Sequence, residues 1–152
     1  MISQQKFSFD NNEEFNMLLM KSEMLIHSIV GPSRTNTYPF AYSIAVTAIR
    51  LYVQKIQLCD FAIYKDVYFQ TAKQLKQKHA SVARNIERAA KLILRILITH
   101  GITEKYLGRI PNKSVTPRVL IIYLAAYIYF DRPYHQLFKD SSDELTAQYF
   151  PI

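Results

Sequence analysis

Four cations recur at helical spacing in one short stretch: Arg84, Arg88, Lys91 and Arg95, at intervals of four, three and four. On a helix that spacing lines the side chains along one side. Guanidinium and ammonium groups in such a row suit one task well, which is holding a string of anions. Asn85 and Glu87 add an amide and a carboxylate to the same stretch. Just upstream, Lys73, Lys76 and Lys78 supply three more cations, with His79 and Ser81 following them. Val82, Ile86, Ala90, Ile93 and Leu97 keep the helical rhythm on another face, so one side suits burial and the other carries charge.

The distribution of charge says more than its total. Residues 71–100 hold seven Lys/Arg against Glu87 alone, so +6 of the net +7 lies in one fifth of the chain. Residues 1–70 balance six cations with six acids, and residues 101–152 set six against five. A merely solvated helix face intersperses acids among its cations. A localised excess of this kind is the footprint of a polyanion, and a basic helix after a short basic turn suits a nucleic-acid groove.

Other chemistries find no support. His27, His79, His100 and His135 lack the spacing of metal ligands, and Cys59 is the chain's single cysteine. There is no glycine-rich phosphate loop, no nucleophile with a neighbouring base and no carboxylate pair, so neither enzymatic activity nor a cofactor or metal is expected. A lone cysteine fits a reducing compartment, and the polar, acid-bearing start MISQQKFSFDNNEE lacks a signal core. The longest apolar run, Val119–Phe130, would span about 18 Å as a helix against a bilayer core of about 30 Å. It reads as a buried helix, and the chain as a cytoplasmic protein without membrane contact.

The elements that position these residues follow from caps and periodicity. With three glycines and no strand-like alternation, the sequence predicts an all-α bundle of about six helices. Residues 1–12 read as a flexible arm whose aromatics Phe7 and Phe9 are candidates to dock on the domain, residues 13–139 as the helical domain and residues 140–152 as a tail. Asn11 or Asn12 caps a first helix that stops at Gly31-Pro32. Thr37 caps a second, which runs with Pro39 in its first turn to about Leu58. Residues 60–68 make a short helix or turn, and Phe69–Lys78 a further helix. His79-Ala80-Ser81 is the expected connection, with Ser81 capping a long helix Val82–Thr99. Helix, short turn, basic helix is a helix-turn-helix in outline. After one turn at Thr103–Leu107 and a loop, Thr116-Pro117 opens a closing helix that is apolar nearly all round. Its tyrosines 123 and 127, with Tyr129 and Tyr134, lie away from the basic segment and read as core or interface residues.

The stretch Leu75–Ile98, LKQKHASVARNIERAAKLILRILI, resembles the DNA-binding effector domain of the sporulation-initiation response regulators of spore-forming bacteria. Ile86-Glu87-Arg88-Ala89-Ala90-Lys91 is similar to that family's Val-Glu-Arg-Ala-Ile-Arg recognition-helix core. Val67-Tyr68-Phe69-Gln70-Thr71-Ala72-Lys73-Gln74-Leu75 resembles its Leu-Tyr-Pro-x-Ile-Ala-Lys-Lys-Phe first helix, with one helical turn more in this chain around Lys76–His79. Leu25-Ile26-His27-Ser28-Ile29 with Gly31-Pro32 echoes the family's Ile-Ile-His-Glu-Ile-Gly-Val-Pro opening, and Thr37-Tyr38-Pro39-Phe40 its Gly-Tyr-x-Tyr, without the Arg-Glu pair that follows there. The likeness runs over roughly residues 20–130, and the receiver domain that precedes the effector in the family has no counterpart here. The sequence then reads either as a stand-alone relative or as a fragment of a longer protein, the starting Met and an arm unlike a linker favouring the former. The resemblance implies tandem or dimeric binding to repeated sites, contact with RNA polymerase and a place on the bacterial nucleoid.

The resulting expectation is a sequence-specific double-stranded DNA-binding protein, a transcriptional regulator with helix 82–99 in the major groove. Arg84, Asn85, Glu87, Arg88 and Lys91 are its candidate base readers, Arg88 foremost because its fork matches guanine O6 and N7. Glu87 would accept from a cytosine amino group or orient Arg88; pairing with Lys91 four residues on is the alternative. Lys73, Lys76, Lys78, His79, Ser81 and Arg95 are candidate phosphate contacts, His79 being equally readable as a half-exposed turn residue. The apolar closing helix offers a surface for a homodimer. Two rival readings are a DNA-binding accessory factor of a plasmid or mobile element, and a helical adaptor whose basic face meets an acidic protein.

Overall fold

The computed structural model describes residues 7–108 and 115–133, and every regular element among them is helical. Helix α1 (Glu13–Val30) starts where the Asn12 side chain accepts the Phe15 amide at 2.8 Å, with Glu13 and Glu14 suiting the dipole. It ends at Gly31, whose φ of +66° lets its N–H turn back to the His27 carbonyl. Its inner face carries Phe15, Leu18, Leu25, Ile26 and Ile29, and its outer face Met17, Met20 and Met24.

Helix α2 (Tyr38–Ala48) is the hub, packed against α1 and all the later helices except the short fifth. Every residue from Pro39 to Ala48 is buried. The Ser43 hydroxyl is satisfied by donating to the Pro39 carbonyl at 2.8 Å, whereas the buried Thr47 hydroxyl has no hydrogen-bond partner among the described residues. Thr37 stands at the expected cap position, but the side chain that accepts the Tyr38 amide is Asn36, at 3.1 Å. The helix loosens into a π turn at Ile49–Val53 and stops short of the expected Leu58. Lys55 is left-handed (φ +58°), and the Ile56 amide closes back on the Arg50 carbonyl.

A second π turn, Ile63–Tyr68, runs without a break into α3 (Phe69–Leu75). Helix α4 (His79–Thr99) follows, then α5 (Thr103–Leu107) and α6 (Pro117–Phe130). Gly101 (φ +63°) closes α4, with the Ile102 amide reaching the Leu97 carbonyl. Thr116 caps α6 by accepting the Val119 amide, with Pro117 in the first turn as its sequence requires.

A further expectation needs correction, that of α6 as a dimer surface. Leu120 through Ala126 are all buried, packed against α1, α2, α4 and α5, so the middle of this helix is interior rather than a face for a partner. Tyr123 is 3% exposed, and Tyr127 and Tyr129 pack on Tyr106 and Tyr52, as core tyrosines do; Tyr134 lies outside the described residues. The arm's aromatics, Phe7 and Phe9, pack on the core. Phe9 is buried edge-on to Phe15, with the Arg50 guanidinium 5.1 Å from its ring centre. The expected tail, residues 140–152, also lies outside the described residues.

Candidate nucleic-acid interface

The basic row on α4 stands clear of the protein. Val82, Ala83, Ile86, Ala89, Ala90, Ile93 and Leu97 are buried, while Arg84, Arg88, Lys91 and Arg95 are exposed. At 3.6 residues per turn the four cations fall within about 60° of one another, centred opposite the buried side. From Arg84 to Arg95 the row runs about 16 Å. None of the four makes an ion pair among the described residues.

The turn before α4 lies three residues earlier than the sequence suggests. Helix α3 stops at Leu75 and α4 begins at His79, so the connection is Lys76-Gln77-Lys78 and not His79–Ser81. Lys76 takes the left-handed conformation (φ +55°), and the Gln77 and Lys76 amides close on the Ala72 and Lys73 carbonyls. This is a Schellman ending with lysine where glycine is usual. Ser81 therefore sits inside the first turn of α4, exposed, and caps nothing. No side chain caps α4, and its first turn holds no acid. The positive end of a 21-residue helix is thus left to solvent between exposed Lys76, Lys78 and Ser81.

The Thr71 hydroxyl donates to the Val67 carbonyl at 2.9 Å and lies 3.3 Å from the Ser43 hydroxyl, a buried polar link from α3 to α2. Arg50 holds the π turn from below: its Nε donates to the Asp66 carbonyl at 3.0 Å and its Nη1 to Gln54 Oε1 at 2.8 Å. Burial lowers the Arg50 pKa from its usual value, while Asp66 nearby opposes that shift. The Asp66 carboxylate in turn accepts the Ala62 amide at 2.8 Å, pinning the start of the turn.

Three of the expected contact residues are placed differently from the rest. Glu87 is half-buried, and its Oε2 accepts the Tyr64 hydroxyl at 2.9 Å; it makes no ion pair with Lys91. That bond, then the carboxylate's charge, raises the Tyr64 pKa. Asn85 is half-buried with its Oδ1 out of solvent and unpartnered, so its acceptor faces the protein. His79 is half-buried with its ring 5.1 Å from Phe69, and its Nε2 is likewise out of solvent. Lys73, Lys76, Lys78, Ser81 and the four cations of α4 are all exposed.

Sequence reasoning overlooked Tyr64 and Phe69, exposed at 50% and 61% beside this surface. The available signal was phase. Phe69 follows Tyr68 and precedes Thr71 and Ala72, all buried, so it cannot share their side of the helix.

No described helix is long and apolar enough to cross a membrane, and no group of metal-ligating side chains gathers among the described residues. No protein-family model, curated protein or solved structure matches the chain.

Proposed function

We propose that this protein binds double-stranded DNA in a sequence-dependent way, with α3, the Lys76–Lys78 turn and α4 acting as a helix-turn-helix, and that it regulates transcription. The observation that carries the reading is the placement of Arg84, Arg88, Lys91 and Arg95: all exposed, opposite the buried side of α4 and free of ion pairs among the described residues. Unneutralised cations this close repel one another, and a phosphate backbone relieves that repulsion with release of counterions. The likeness of residues 75–98 to the sporulation effector domain supports the same face and the same helix.

Roles divide by geometry. Arg88 and Arg84, with Lys91, are the base readers of the proposal, Arg88 bidentate to guanine. Lys73, Lys76, Lys78, Ser81 and Arg95 hold phosphates and set register without reading sequence. The uncapped start of α4 adds backbone N–H groups suited to one phosphate. Asn85 and His79 leave the contact set, because their acceptor and ring nitrogen are turned inward. Glu87 no longer argues for base reading, since its bond to Tyr64 supplies a local reason for an acid on this face.

Selecting bound sequences from a random duplex pool tests the proposal. A recovered motif a few base pairs long is the expected result. Recovery of random sequence at low salt, lost together at higher salt, would leave only electrostatic binding. Absence of binding even at low salt would return the surface to the adaptor reading, with an acidic protein as partner.

A further inference from the structure

We propose that the exposed rings of Tyr64 and Phe69, bridged by the half-buried His79 ring behind them, form a stacking surface for unpaired nucleobases, alongside the cations that hold the flanking phosphates. The inference rests on this face meeting nucleic acid, and extends it from duplex to single-stranded or locally opened strands. The His79 ring lies 5.1 Å from Phe69 and 6.2 Å from Tyr64, so the three rings form a row at the start of α4. Phe69 is 61% exposed and Tyr64 50%, which places both rings at the surface.

The row is continuous with the basic surface on both sides. The bond from the Tyr64 hydroxyl to Glu87 holds that ring against the flank of α4, where Glu87 lies one helical turn before Lys91. Phe69 lies one helical turn before Lys73 in α3, so these two share a side. Lys65, adjacent to Tyr64, is exposed as well. Aromatic rings interleaved with cations are what single-strand binders use, because every base offers a π face while the groove tracks phosphates. An intact duplex keeps its bases stacked on each other and offers these rings only sugars and base edges. The core tyrosines of α6 have no such access.

The chain contains no tryptophan, so Phe69→Trp installs a lone indole in the row. Oligothymidylate or oligouridylate is expected to quench its emission strongly, and a blunt duplex weakly. The response to the two strands identifies DNA or RNA as the preferred source of the base, and either supports the surface. Phe69→Leu is expected to lower single-strand affinity by about 5- to 150-fold and Phe69→Tyr to preserve it, with duplex affinity nearly unchanged. Unaltered emission with both strands, or Phe69→Leu binding them like wild type, overturns the inference. Duplex binding that survives such a result leaves the proposed function intact. Quenching by single strands with no duplex binding does the reverse.

Discussion

Arg88 is where sequence preference should be concentrated. Arg88→Ala is expected to cost about 1–3 kcal/mol at the selected site and to relax one base pair, read by titrating the site and its single-pair variants. A loss equal for all sequences would make Arg88 a phosphate contact. Glu87→Gln keeps an acceptor for the Tyr64 hydroxyl and removes a negative charge, so it should tighten binding to every duplex alike. A changed preference in that variant would restore Glu87 to base reading. Lys76 has two roles that pull apart on substitution. Its left-handed backbone (φ +55°) favours glycine, so Lys76→Gly should raise stability by about 0.5–1 kcal/mol. The same change removes a phosphate contact and should lessen the salt slope of DNA binding by about one. Urea midpoints and salt titrations on one preparation separate the effects, and an unchanged slope would count against the contact.

At the scale of elements, α4 can present its cations only because its other side is locked. Ile86, Ile93 and Leu97 are fully buried, and the helix runs on without a cap at its basic end. Packing on α2, α3 and α6 therefore supplies what capping does not. Ile86→Ala should cost about 2–5 kcal/mol by denaturant unfolding. Because its Cβ points away from the cations, DNA affinity of the remaining folded protein should be unchanged. Arg50 does the corresponding job for the π turn that carries Tyr64, where its guanidinium ties Gln54 and the Asp66 carbonyl to the Phe9 ring. The turn between α3 and α4 is closed locally, by left-handed Lys76 and by the Gln77 and Lys76 amides on the Ala72 and Lys73 carbonyls.

For the molecule as a whole, the most informative pH range is alkaline. Burial raises the pKa of Tyr42 to about 12, and burial raises those of Tyr68 and Tyr123 as well. In the unfolded chain all three titrate near 10. Above that pH the unfolded state binds fewer protons than the folded one, so stability falls as pH rises. The tyrosine contribution is fully present below about pH 9 and is lost progressively toward pH 12. Urea midpoints measured from pH 8 to 11 should hold level and then drop. A midpoint that stayed level to pH 11 would place these hydroxyls in contact with water.

Helix composition, the capped starts at Asn12 and Thr116, the glycine stops at 31 and 101, and the two-sided character of α4 could all be read from residue order. Each depends on neighbours within one or two turns, and periodicity and capping report such short-range physics directly. The concentration of charge in residues 71–100 was readable for the same reason, being a count along the chain. Tertiary packing decided the rest. It set the turn at Lys76–Lys78, buried Leu120–Ala126 of α6, and took Asn85 Oδ1 and His79 Nε2 out of solvent. It also joined Tyr64 to Glu87, 23 residues apart, and Ser43 to Thr71, 28 apart. Contacts at such separation depend on how whole helices seat against one another, and no local pattern of residues encodes that seating.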